Sequence, residues 1–340
     1  MKEPHSTAQS NITTYKEALH FSGNTQLAYY ILSAVKLGIS FKMVIPGSFA
    51  EFWKGDKRWM IHKALTPINN SVAMSLVTYK SICNAYLSTH GFPVPLQKRV
   101  RNAQEILDFQ RERSLSEIVV KPTRGFGGGG VSILPRTEKE VRKAFSYAYE
   151  KALTDNPIRV IVEEFIHGRH FRLVVLGDEV IAAAERMAPY VIGDGKSTVR
   201  QLVDSLNIEY KKIGRPHVKI DDEEAVKALA LKNFTPESIP ADSEHVTVRL
   251  NANMTSGGTV RECLSEMHPI YKKLAVDITH TTHLKLAGID LITPDISKQV
   301  EKYAINEVNH NPGVRIHYMP DEGNEVDLCT MVQQYILDNL

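Results

Sequence analysis

The stretch Ile118-Val119-Val120-Lys121-Pro122-Thr123-Arg124-Gly125-Phe126-Gly127-Gly128-Gly129-Gly130-Val131-Ser132-Ile133-Leu134 decides how this chain is read. Its ends are β-branched and apolar, and Pro122 stops the first run, so it predicts strand, glycine loop, strand. Gly125, Gly127 and Gly130 match the spacing of a dinucleotide fingerprint. That fingerprint has to open a helix, so the reading fails on context. A loop with five glycines in six positions is more than a tight turn needs. Its backbone N–H groups can approach phosphate oxygens closely. Lys121, at the end of the first strand, can bring an ammonium to those phosphates.

Outward from this loop the order is mixed. On the N-terminal side, a helix-like run from Thr25 to Leu37 precedes a strand at 41–45, which predicts a small α/β unit, and 71–90 reads as one helix ending at Gly91 and Pro93. On the C-terminal side, Thr137 and Glu140 form a capping-box pattern before a helix whose apolar face is Val141, Ala144, Phe145, Ala148 and Tyr149. A strand at 159–165 follows. Residues 171–176 and 179–184 pair through a Gly177-Asp178 turn. Val199, Leu202, Val203 and Leu206 make a helical stripe, 287–292 and 303–309 read as strands, and Leu328, Met331, Val332, Tyr335 and Ile336 form the face of a closing helix. Hairpins interleaved with helices argue for α+β with antiparallel sheets.

Two further motifs are rejected. Gly195-Lys196-Ser197 ends like a P-loop, but Tyr190 stands where that loop needs glycine. Gly193-Asp194-Gly195 reads instead as a turn, with Ser197 or Thr198 capping the next helix. His280 and His283 are spaced for one helix face but lack a third zinc ligand. The carboxylates carry more. Glu307 and Asn309, two apart on a strand, share a face, and Asp290 sits in a second apolar strand. Oxygen ligands without Cys or His suit Mg²⁺. His310 and His317 flank this region and read at most as substrate-side groups.

Composition bounds the class. The chain has 340 residues, 43% hydrophobic and 24% charged, with 41 Lys+Arg against 39 Asp+Glu. Two or three subdomains around one site fit this length. The near-neutral balance excludes a general nucleic-acid coat. No apolar stretch is long enough to span a bilayer, the N-terminus lacks a secretory core, and Cys83, Cys263 and Cys329 imply no disulfide framework. A cytoplasmic location and no nucleic-acid or membrane partner are expected.

With these segments in order, the chain resembles the ATP-grasp superfamily and, within it, the ATP-grasp half of cyanophycin synthetase. The carrying segments are the strand and loop at 119–130; Glu163-Glu164-Phe165-Ile166-His167-Gly168-Arg169-His170 through Arg172; 191–198; Arg249 with 253–259; 288–297; and 306–317. The resemblance runs from about residue 68 to the end. It implies an α+β fold, two subdomains clasping ATP behind a short N-terminal α/β segment. The expected division is an N-terminal part at 1–67, a linking helical region at 68–116, a small lid subdomain at 117–166, and a large catalytic subdomain at 167–340 with an insertion near 208–245.

It also implies a carboxylate–amine ligase forming an amide or peptide bond through an acyl-phosphate. Lys80 and Lys121 stand at the phosphate-holding positions. Gly127, Gly128, Gly129 and Glu163 belong to the nucleotide site, Glu164, Phe165 and Ile166 meet the adenine edge, and His170 occupies the usual acidic ribose position. Asp290, Glu307 and Asn309 match Mg²⁺ ligands, expected to hold two ions with Mn²⁺ able to substitute. Arg172, Arg186 and Arg249 match basic catalytic positions. Arg215, Ser256, Gly257, Arg315 and His317 fall on the substrate side. The polar segment with Arg215, His217 and Asp221-Asp222-Glu223-Glu224 either shapes the substrate pocket or is a solvated helix start. Expected partners are amino acids or short peptides, and the expected assembly is a homodimer or homotetramer. Cyanophycin synthetase has a second, Mur-ligase half that this sequence lacks, so one kind of bond is expected. The alternatives are a glutathione-synthetase-like dipeptide or tripeptide ligase, a hydrolase or kinase using the same ATP cleft, and a non-catalytic ATP-binding regulatory protein.

Overall fold

In the computed structural model the described residues are 12–125, 128–153 and 156–340. Thr14 opens α1 (Tyr15–Ser22) with a capping box to Glu17, and the Asn24 carboxamide accepts from Gln26 and Leu27 to start α2 (Thr25–Leu37). The expected small α/β unit is larger than the sequence reading made it. Strands β1 (Ser40–Ile45), β2 (Phe49–Lys54) and β3 (Lys57–His62) form an antiparallel meander. Ala50, Phe52, Trp59 and Ile61 alternate inward from β2 and β3, the period-2 pattern of a half-buried strand.

The single helix expected at 71–90 is two helices. Tyr79 is extended (φ −102°, ψ 106°) between α3 (Ser71–Thr78) and α4 (Lys80–Thr89). Val77 and Thr78 are β-branched and weak helix formers at that point. The break makes Lys80 the head of a new helix, beside Thr123 of the next segment.

Strand β4 (Gln97–Val100), α5 (Ala103–Glu112), β5 (Ile118–Pro122), β6 (Ser132–Ile133), α6 (Glu138–Lys151) and β7 (Val160–Glu164) build a four-stranded antiparallel sheet, order β4-β7-β5-β6, with two helices on one core. This unit takes in β4 and α5, which the sequence division put in the linking region. Thr137 caps α6 as expected, accepting from the Glu140 N–H, while the Glu140 carboxylate accepts from Arg136, one residue before the cap. Val141, Ala144 and Ala148 are buried; Tyr149 is exposed and lies under Arg159.

The remainder is β8 (Arg169–Leu176), β9 (Glu179–Met187), β10 (Tyr190–Ile192), α7 (Val199–Lys212), α8 (Glu223–Ala230), β11 (His245–Thr247), β12 (Thr259–Glu262), α9 (Pro269–Thr281), β13 (Leu286–Thr293), β14 (Ala304–Asn309), α10 (Arg315–Tyr318) and α11 (Leu328–Asn339). A five-stranded antiparallel sheet runs β12-β9-β8-β13-β14. In the segment from β10 to β11, Val191, Val203, Tyr210, Leu229 and Val246 share a core of their own, and Thr198 opens α7 with a capping box to Gln201. Asp222 caps α8, so the acidic run at 221–224 is a helix start. The closing helix α11 buries Leu328, Cys329, Val332, Gln333 and Ile336, leaving Met331 exposed. Its face is therefore turned from the expected stripe, because Gln333 has buried partners. The three cysteines are free and buried. No helix among the described residues is long and apolar enough to cross a membrane.

Candidate nucleotide and metal site

The small sheet and the five-stranded sheet face each other across a cavity of about 330 Å³. Strand register builds its floor. Asp290 on β13 stands opposite Glu307 on β14 and opposite Arg172 on β8, and His170 stands opposite Arg186 on β9. Directly paired residues share a face. The small sheet contributes Val119, Lys121 and Glu163; the glycine loop contributes Gly125, Gly128 and Gly129; residues 250–253 form a third wall. Gly127 lies outside the described residues.

Charge in this cavity is buried and paired. Lys121 and Glu163 form an ion pair of 2.5 Å with side chains 6% and 3% exposed. Such desolvation is costly without close geometry, yet Glu163 Oε1 has no partner. Lys80 pairs with Glu307. Arg172 donates Nε and Nη2 to the two oxygens of Asp290, and Arg186 Nη2 lies 2.8 Å from Oδ2. Burial pushes the Asp290 carboxyl up, but Arg172 and Arg186 outweigh it and hold the group well below the usual carboxylate range. Burial, then Arg186, pushes His170 down to about 4, so its imidazole is neutral near pH 7 and can only exchange neutral hydrogen bonds.

Asp290, Glu307 and Asn309 lie on adjacent strands and line the same cavity, and Asn309 Nδ2 is buried without a partner. Two carboxylates and an amide oxygen are a hard-oxygen set that fits Mg²⁺. Among the described residues, no group of three His, Cys, Asp or Glu forms a metal cluster; the third member of this oxygen set is the Asn309 amide.

The other expected residues divide. Glu164, Phe165 and Ile166 line the cavity, but the N–H groups of Glu164 and Phe165 are already given to Leu96 O and Glu117 O at 2.8 and 3.1 Å. Arg249 does not line the cavity: its guanidinium pairs with Asp222 and Glu224. Arg215 is likewise outside, paired with Asp321 and lying over the Tyr210 ring. Ser256 donates to Asn253 O at 2.9 Å and Gly257 O accepts from Tyr210; neither lines the cavity. Arg315 faces Tyr15 and Tyr29 of the N-terminal helices closely enough to bias their ionisation. His317 is 1% exposed with both ring nitrogens unpartnered; burial first, then Arg172 and Arg186, pushes it down to about 3. Sequence reading missed Asn251 and Asn306, which also line the cavity. The i, i+2 spacing of Asn251 and Asn253 was a signal, and Asn306 precedes Glu307.

No protein-family model matches the chain. It is 29% identical over 299 residues to the glutathione biosynthesis bifunctional protein GshAB of Listeria innocua, covering 86% of this chain and 38% of that protein. It is 31% identical over 271 residues to the cyanophycin synthetase of Crocosphaera subtropica, covering 77% and 30%. The crystal structure of a bifunctional glutathione synthetase from Pasteurella multocida superposes with a TM-score of 0.66 at 24% identity, covering 94% of this chain and 45% of that one. The chain thus spans less than half the length of these relatives. Its fold is the ATP-grasp fold, and its sequence resembles ATP-grasp carboxylate–amine ligases.

Proposed function

We propose that this ATP-grasp chain is an ATP-dependent ligase joining an amino-acid or peptide carboxylate to an amine, with release of ADP and phosphate. The observation that carries the reading is the single cavity in which Lys80, Lys121, Arg172 and Arg186 meet Asp290, Glu307 and Asn309. A retired scaffold has no physical reason to keep such buried charges together, because their desolvation is costly.

A carboxylate is a poor electrophile because its leaving group would be an oxide. Phosphorylation by ATP makes an acyl-phosphate; the amine attacks its carbonyl carbon, and phosphate leaves from the tetrahedral intermediate. The chain supplies position and positive charge. Lys80 and Lys121 hold phosphate oxygens, the glycine loop at 125–130 gives backbone N–H groups, and Arg172 and Arg186 stabilise charge on the transferring group and the acyl-phosphate. Glu163 holds Lys121 in place, His170 meets the ribose, and Ile166 with its neighbours receives the adenine edge. Asp290, Glu307 and Asn309 would hold Mg²⁺, which when bound neutralises β- and γ-phosphate oxygens. Two ions, replaceable by Mn²⁺, are part of this reading. His317, behind the arginines, and Arg315 belong to the substrate side. Cytoplasmic location and a homodimer or homotetramer complete it; light scattering of the purified protein tests the assembly.

The names of the relatives frame two product classes, glutathione and cyanophycin, so the assay uses amino acids and short peptides from both. Incubated with Mg²⁺-ATP and this pool, the protein is expected to release ADP and make a product lighter by one water than the summed reactants, read by mass spectrometry. Glu307→Ala should lower turnover by at least about a hundredfold with an unchanged circular-dichroism spectrum. ADP production unchanged in that variant would sink the assignment, and ADP without a coupled product would favour a kinase or hydrolase.

A further inference from the structure

The unit between β10 and β11 touches both sides of the cavity. Toward the small subdomain, Lys227 of α8 donates to the Leu134 carbonyl and lies 3.8 Å from Glu140, while Glu223 pairs with Lys143 of α6. Toward the third wall, Glu224 Oε1 accepts the Asn251 N–H at 2.9 Å and Oε2 accepts from Arg249. The other terminal nitrogen of Arg249 donates to Asp222 Oδ2 at 2.8 Å and to Lys219 O at 2.9 Å. The Arg249 side chain is 9% exposed, so its charge is tolerable only with these partners in place. The wall at 250–253 is therefore tied at its root to the first turn of α8.

From that root two carboxamides reach the glycine loop. Asn251 Oδ1 accepts from the Asn253 N–H at 2.9 Å, which orders the pair. A Cβ placed on Gly128 would lie 2.5 Å from Asn251 Nδ2 and 2.6 Å from Asn253 Nδ2. Gly128 has φ +78°, a conformation that favours glycine, and a side chain there would have to displace the two amide ends. The two amides thus occupy the space beside Gly128, in a loop that lines the cavity.

We propose that Glu224 and Arg249 are positioning residues, which set Asn251 and Asn253 against Gly128 and through them govern nucleotide affinity and the exclusion of water from the acyl-phosphate. The second half rests on the ligase reading; the first does not. Neither residue touches the cavity, so they act through the loop.

The test is Mg²⁺-ATP affinity by calorimetry on the full chain, for Glu224→Ala, Glu224→Gln, Asn253→Ala and the Glu224→Ala/Asn253→Ala double variant. Glu224→Ala should weaken ATP about tenfold with an unfolding midpoint within about 3 °C of the parent. Glu224→Gln keeps an acceptor for the Asn251 N–H and should fall between, and it carries the test should the alanine variant not fold. The double variant should be no weaker than the weaker single one, because both act through one loop. In the coupled assay, Glu224→Ala should release more ADP per product formed. Unaltered ATP affinity in the Glu224 variants, or fully additive losses, would overturn the proposal. Absence of product with the parent protein would remove the ligase reading while the affinity measurement still decides the positioning role.

Discussion

Lys121 sits almost out of water beside Glu163, and Asp290 sits between two arginines. At this scale the site is a set of buried, paired charges, and the two arginines hold the Asp290 carboxyl well below the usual range. His317, like His170, is neutral near pH 7. Its pKa falls from about 6.5 in the unfolded chain to about 3, so across that interval the unfolded state binds more protons. The resulting stability is fully present above pH 6.5 and is lost as pH falls toward the folded value. Urea unfolding at stepped pH should show His317→Asn losing less stability below pH 6.5 than the parent, by about 1.4 kcal/mol per pH unit. Equal slopes would mean that the ring does not lose its proton on folding.

Elements decide which of these residues meet. One antiparallel register sets Asp290 against Glu307 and Arg172, and a slip by one residue would send every side chain on that strand to the other face. The unit between β10 and β11 packs closely on Gly257, which has φ +89° and whose Cβ would lie 2.5 Å from Val218 Cγ2. Gly257→Ala should cost at least about 2 kcal/mol in denaturant unfolding. Gly38→Ala, at φ +62° with open space around it, should cost only about 1 kcal/mol. Similar losses at the two positions would show that packing on Val218 does not hold that unit.

Across the whole molecule, the two ends of the described chain close one core. Helix α11 packs on α2 and the meander, and Gln333, fully buried, accepts from Trp59 Nε1 at 3.1 Å and donates to Tyr30 O at 2.8 Å and Ser33 Oγ at 3.1 Å. Gln333→Ala strands those groups and should cost about 3 kcal/mol, measurable as a lower urea midpoint. A cost below that of Met331→Ala, an exposed neighbour on α11, would show that the polar contacts do not join the ends.

Local chemistry made much of this legible from the residues alone. Apolar runs mark the strands around Asp290 and Glu307, Thr137 and Thr198 mark helix starts, and the glycines after Lys121 mark a loop, because each signal is complete within a few positions. What lay outside sequence reach depended on partners far along the chain. Tyr79 breaks a helix and so aims Lys80 at Glu307, 227 residues away; Arg249, a cation expected at the phosphates, is taken by Asp222 and Glu224. Gln333 turns α11 because its hydrogen-bonding partners lie near residue 30. Sequence determined the kinds of groups and the faces that carry them. Tertiary structure alone decided which opposite charges share a desolvated space, since pairing energy there depends on distance and burial, and neither is written in the order of residues.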